Sequence, residues 1–163
     1  MKVAIVIAGL IVVAVAALVA IQPSFLKPAS LALVKKSDIF GFAPGMTFDE
    51  TSKLINQRHY LCRQSRDSDT LECDINGAKV TVDRDEADAK RPIWRVNATV
   101  TNPGSQESAV KSISDQFNAQ AIREREGWMW IVGRGLKLSY DGLALNLVDE
   151  AAEARLRKAD AKR

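Results

Sequence analysis

Leu71-Glu72-Cys73-Asp74-Ile75-Asn76-Gly77-Ala78-Lys79-Val80-Thr81-Val82 alternates apolar and polar residues on both sides of an Asn-Gly pair. Asn and Gly both tolerate positive φ, so the pair favours a type I′ hairpin turn. That turn sets Ile75 opposite Ala78, Cys73 opposite Val80 and Leu71 opposite Val82. All six fall on one face, and a slip of one residue would expose them, so the register is well specified.

Working outward, Asp67-Ser68 reads as the turn before this hairpin. Pairing about it puts Cys62 opposite Cys73, Arg63 opposite Glu72, Arg66 opposite Asp69 and Tyr60 opposite Ile75. Opposed strand cysteines can be bridged, and a Cys62–Cys73 disulfide is expected. On the other side, a strand is expected over Ile93–Thr101, with a break at Asn102-Pro103-Gly104. A helix then runs from about Ser105 to Arg123, with Val110, Ile113, Phe117 and Ala121 at helical spacing.

Upstream, Thr47-Phe48-Asp49-Glu50 has the hydroxyl and carboxylate of a capping box, so a helix starts there and runs to about Gln57 with Phe48, Leu54 and Ile55 as its apolar residues. Gly41 and Gly45 bracket a short extended entry. Downstream, Trp128–Val132 is a strand that turns at Gly133-Arg134-Gly135 into a strand beginning at Leu136. Asp141-Gly142 is expected to pair Tyr140 with Leu143, Leu138 with Leu145 and Leu136 with Leu147. Trp128 and Trp130 then share the core face with Leu138 and Tyr140. The order of helix then meander occurs twice, with the two turn pairs sixty-five positions apart. Duplication and coincidence both explain it.

The opposite sheet face collects Leu61, Arg63, Lys79, Arg95, Met129, Ile131, Lys137, Ser139 and Asn146. Apolar residues among charges on an open face suit a protein partner, and Leu61, Arg63, Arg95, Met129, Ile131 and Lys137 are the expected contact residues.

Val3 to Ile21 is nineteen residues without a charge, nearly enough as a helix to span the ~30 Å hydrocarbon core of a bilayer. A cleaved signal would have a shorter apolar run and a better cleavage site than Leu18-Val19-Ala20. The expected organisation is a membrane anchor over 1–22, a linker over 23–36, an α+β domain over 37–148 and a charged C-terminal helix or tail over 149–163. Lys27, Lys35 and Lys36 would by the positive-inside rule hold the domain in the cytoplasm. The short amino-terminal tail and the cysteine pair favour the other side. An inner-membrane single pass with the domain in the periplasm or outside the cell is therefore expected, with a cytoplasm-facing tethered domain as the alternative.

The net charge of +3 is misleading, because Lys2, Lys27, Lys35 and Lys36 precede the first acidic residue and leave −1 for everything after them. A nucleic-acid partner would need a basic face, and none is expected. The two cysteines and the single His59 are too few soft ligands for a metal site. No glycine-framed nucleophile accompanies His59, so no catalytic residue and no cofactor are expected; a ligand-binding or enzymatic site around His59 is the alternative. Asp83-Arg84-Asp85-Glu86-Ala87-Asp88 resembles a calcium loop but lacks an oxygen ligand at Ala87, a turn glycine and a closing glutamate. It reads as a solvated connection. Asp149 to Arg163 has acids early and bases late, with Glu153 and Arg157 at i,i+4, and reads as a solvated terminal helix.

Phe42-Ala43-Pro44-Gly45-Met46-Thr47-Phe48-Asp49-Glu50, leading into a helix and a meander, resembles the opening of the small outer-membrane lipoprotein A family. The doubled helix-plus-meander order is also similar to β-lactamase-inhibitor-like domains. The resemblance implies an envelope protein that binds other proteins through its sheet face. The chain departs from the lipoprotein pattern in having no cysteine just after the apolar segment and no Gly-x-Pro after Gln57. The fold expected is α+β: an antiparallel sheet with two helices on one face, preceded by one N-terminal transmembrane helix.

Overall fold

The computed structural model describes residues 37–65, 69–100, 104–133 and 135–161. The expected anchor, the linker, and the Asp67-Ser68 turn with its Arg66 pairing lie outside the described residues. Among the described residues, no helix is long and apolar enough to cross a membrane.

Helix α1, Phe48–Arg58, begins with the expected capping box. Glu50 N–H donates to Thr47 Oγ1 at 3.3 Å, and Thr47 N–H donates to Glu50 Oε2 at 2.8 Å. The helix ends at His59, which takes the left-handed conformation that closes a C-cap. Helix α2, Gln106–Phe117, is capped by Ser105 and ends at Asn118, again left-handed. It is therefore shorter than its apolar spacing suggested. Residues Ile122–Glu124 form a strand instead. Leu54 and Ile55 of α1 and Val110, Ile113 and Phe117 of α2 pack on the core. Phe48 does not join them; it is more than a third exposed, with the guanidinium of Arg84 4.7 Å from its ring centroid.

The strands are β1 Leu61–Gln64, β2 Thr70–Ile75, β3 Ala78–Arg84, β4 Ile93–Val100, β5 Ile122–Glu124, β6 Gly127–Gly133, β7 Leu136–Tyr140 and β8 Ala144–Asp149. They form one antiparallel sheet in the order β1-β2-β3-β4-β8-β7-β6-β5. Helix α3, Glu150–Asp160, follows directly from β8 with Asp149 as its cap. The fold is α+β, and α1 and α2 serve the apolar face of the sheet.

Asn76 and Gly77 both have positive φ, and the β2–β3 register is the expected one: Leu71 with Val82, Cys73 with Val80 and Ile75 with Ala78. The β7–β8 turn differs. Asp141 Oδ1 accepts from the N–H groups of Leu143 and Ala144, each at 2.8 Å, so Gly142 and Leu143 become the central residues. Gly142 alone supplies the positive φ, as the first centre of a II′ turn requires. Tyr140 consequently pairs with Leu145, Leu138 with Leu147 and Leu136 with Asp149. The register moves by two residues, so every side chain keeps its face; only Leu143 is displaced, to an exposed turn tip.

The halves α1-β1-β2-β3-β4 and α2-β5-β6-β7-β8 have the same order and meet at β4 and β8, where Asn97 opposes Asn146. The doubled order is real in the architecture. The two turn dipeptides that suggested it are not equivalent, however: Asn76-Gly77 joins the second and third strands of its half, and the Asp141 turn joins the third and fourth. The core lies between sheet and helices, with Phe42, Val80, Val82, Val96, Trp130, Leu138, Leu147 and Phe117 almost wholly buried.

Candidate functional sheet face

Alternation along each strand sends the remaining side chains to the other face. Cross-strand pairing then arranges them in rows. One row runs Arg63, Glu72, Thr81, Asn97, Asn146, Ser139, Met129 and Ile122, crossing all eight strands. A second runs Thr70, Asp83, Arg95, Val148, Lys137 and Ile131. All six expected contact residues therefore lie on this face, and Met129 and Ile131 stand two residues apart on β6.

The face is chemically divided. At the β1–β3 end, Arg63 and Glu72 form an exposed ion pair at 2.6 Å, and Leu61 is 79% exposed beside them. A concavity of about 740 Å³ opens there, lined by Leu61, Arg63, Glu72, Asp74, Lys79 and Thr81 with parts of Cys62, Cys73 and Val80. Across the central strands the first row is uncharged, Thr81-Asn97-Asn146-Ser139, and Asn97 Nδ2 donates to Asn146 Oδ1 at 2.6 Å. The β5–β6 end is apolar, with Ile131 50% and Ile122 47% exposed and Met129 half-buried between them. Lys137 sits 3.7 Å from Glu124 at its margin, and Arg95 is paired with Asp83 at 2.6 Å. Ile122 joins this end from β5, where apolar spacing alone predicts helix; the sequence signal that ends that helix is Asn118, a residue type that tolerates the left-handed C-cap it adopts.

Cys62 and Cys73 are bonded, and the β1–β2 register opposes them as expected. His59 lies exposed at the end of α1 and does not line the concavity. Among the described residues, no group of three His, Cys, Asp or Glu is placed to hold a metal ion.

The segment Asp83 to Asp88 is only in its second half the solvated connection its charges suggest: Glu86, Ala87 and Asp88 are exposed. Asp83, Arg84 and Asp85 are all buried, as is Asp69. The Asp69 carboxylate accepts from Arg84 Nη2 and Arg91 Nε, while the Asp69 N–H donates to Glu86. Burial lowers the Arg84 pKa, and the facing Asp69 charge opposes that effect. Asp85 holds Arg155 of α3 at 2.5 Å. The terminal helix is thus tied to the body, and Ala152 is buried, although Glu153 and Arg157 do make the expected i,i+4 pair. Arg91 and Arg155 lie 22 and 70 residues from their partners, beyond the range of any local pattern.

Compared with models of protein families, curated proteins and solved structures, the chain matches none.

Proposed function

We propose that the chain is a membrane-anchored, non-enzymatic envelope domain that binds a protein partner through the sheet face opposite α1 and α2. The observation that carries this reading is the exposure of Leu61, Ile122 and Ile131 on that face, among charged residues already paired to one another. Apolar side chains clustered beside Met129 gain nothing from water, and an apolar patch with a polar surround is what a protein interface presents. The apolar run Val3 to Ile21 supports an anchor in the membrane, and the Cys62–Cys73 bond supports an oxidising compartment for the domain.

The test uses full-length protein crosslinked in intact cells. Ile131→Lys and Ile122→Lys should leave stability within about 1 kcal/mol, as surface changes do, and remove the crosslinked partner. Retention of the partner, or unfolding of both variants, overturns the reading of the face. Anchoring is tested separately: the full chain should stay with membranes after an alkaline wash while a chain starting at Ser37 is soluble. A soluble native protein with a new amino terminus near Ala20 would overturn the anchor. Reduced cysteines that react only with a thiol reagent able to reach the cytoplasm would overturn the periplasmic placement.

A further inference from the structure

Edge strand β1 contributes little to the core. Leu61, Arg63 and Gln64 are exposed and only Cys62 is half-buried. Among the described residues its polar side-chain ties to the rest of the sheet are the exposed Arg63–Glu72 pair and a 3.4 Å contact from Gln64 Nε2 to Asp69 Oδ1. Neither holds a strand strongly in water. Tyr60, just before β1, is anchored: its hydroxyl donates to Phe40 O at 3.1 Å and its ring lies 5.9 Å from that of Phe42.

The backbone pattern says which groups β1 covers. Ser65 N–H donates to Thr70 O at 2.9 Å, and Arg84 N–H donates to Asp69 O at 3.1 Å. Hydrogen-bonded and non-bonded pairs alternate along an antiparallel ladder. Counting from Ser65–Thr70, the bonded pairs of β1 and β2 are Arg63–Glu72 and Leu61–Asp74, and Cys62–Cys73 is a non-bonded pair. Counting from Asp69–Arg84, the β2 amides bonded to β3 are those of Leu71, Cys73 and Ile75. Both counts agree: Glu72 and Asp74 bond outward to β1, and their neighbours bond inward.

We propose that the Cys62–Cys73 bond is a redox clasp that holds β1 over the edge of β2, and that reduction releases Leu61–Gln64 as a unit while the remaining sheet stays folded. A dithiol reductant attacks the half-buried Cys62 sulfur, and the S–S bond breaks with its electron pair, and then a proton, going to Cys73. The second thiol of the reductant resolves the mixed disulfide, leaving two protein thiols and an oxidised reductant. Release turns β2 into the edge. The amides of Glu72 and Asp74 then form a row of unsatisfied groups beside the buried Leu71 and Ile75, the kind of edge that accepts an extended strand. In the oxidised state the short, charged β1 blocks that edge. The inference rests on strand placement alone and stands whether or not the outer face binds a partner.

Residue-resolved hydrogen exchange of the full-length chain in detergent, oxidised and then reduced with a phosphine, tests it. Cys62→Ala/Cys73→Ala, measured without reductant, controls for the reagent. Reduction and the double substitution should each speed exchange at Leu61, Arg63, Glu72 and Asp74 by at least about tenfold and leave Leu71, Cys73 or its replacement, and Ile75 within about twofold. Unchanged exchange at Glu72 and Asp74 would show that β1 stays docked without the bond. Equal acceleration at Leu71, Ile75 and Leu138 would show a general stabiliser in place of a clasp. Either result overturns the proposal.

Discussion

Replacing Asp69 with Ala should be among the most damaging single changes to this domain, although Asp69 lies in no apolar cluster. Its side chain is 1% exposed and joins Arg84, 0% exposed, to Arg91, 40% exposed. Arg91 can turn to water when the carboxylate goes, so that half of the interaction is worth little. Arg84 cannot. Among the described residues its Nη1 has no hydrogen-bond partner, and after the substitution its remaining contact to Asp69 is the 3.4 Å bond from Nε to the backbone oxygen. An uncompensated buried charge of this kind costs about 3–5 kcal/mol, a large share of the roughly 5–15 kcal/mol that holds a domain together. At about 4 °C for each kcal/mol, the melting temperature should fall by about 12–20 °C. Urea and thermal unfolding followed by tryptophan fluorescence would measure it. Asp69→Ala/Arg84→Met removes both charges and should recover at least about 2 kcal/mol relative to Asp69→Ala. A loss below about 1 kcal/mol for the single variant, or a double variant no more stable than the single, would refute the account of Arg84 as a charge dependent on Asp69.

Cys62→Ala/Cys73→Ala should lower stability by up to about 3 kcal/mol in urea while leaving the far-ultraviolet spectrum of the sheet in place; an unchanged midpoint would mean that the bond constrains nothing. In Gly127→Ala the new Cβ would fall 2.2 Å from the backbone oxygen of Tyr140, which cannot swing aside, so about 2 kcal/mol or more should be lost by thermal melting. Asp141 is held below its ordinary value of 3.8 by the Ala144 and then the Leu143 backbone N–H groups. Its depressed folded pKa means that its contribution is present above the unfolded value and is lost as pH falls through the folded one. The stability gap between the native protein and Asp141→Ala should therefore be constant near neutrality and close below about pH 4. A gap that stays constant as the pH falls below about 4 would contradict this.

Legibility in the sequence followed the range of the forces involved. The β2–β3 hairpin was readable because two adjacent residues, Asn76 and Gly77, specify both the turn and the register. The disulfide follows from a separate count, about Asp67-Ser68, which sets Cys62 opposite Cys73. At Asp141 the dipeptide was recognised but its side chain captured two later amides, moving the turn centre by one residue; alternation protected the face assignment from that error. Strand β5 was missed because three exposed residues carry no periodicity, and the helical spacing of Ala121 with Phe117 extended the preceding helix over it. The outer face was assembled from alternation and turn chemistry, so the six expected contact residues share it, whereas Ile122 did not enter until β5 was placed. The charged network of Asp69, Arg84, Asp85, Arg91 and Arg155 was invisible for a different reason. Charged residues are seldom buried, and the partners that make it possible here are supplied by tertiary structure.

The palindromic strand order places nearly all the entropic difficulty of assembly at one seam. Six of the seven strand pairings join neighbours in sequence, and each can close by a local turn. Only β4 with β8 joins distant segments, with Asn97 and Asn146 separated by 49 positions. Loop-closure entropy grows as the logarithm of that separation, so the seam costs about 2 kcal/mol more to close than a tight hairpin. Each four-strand half can therefore organise on its own local contacts. The Asn97–Asn146 bond, at the centre of that pairing, marks the point where two meanders become one sheet.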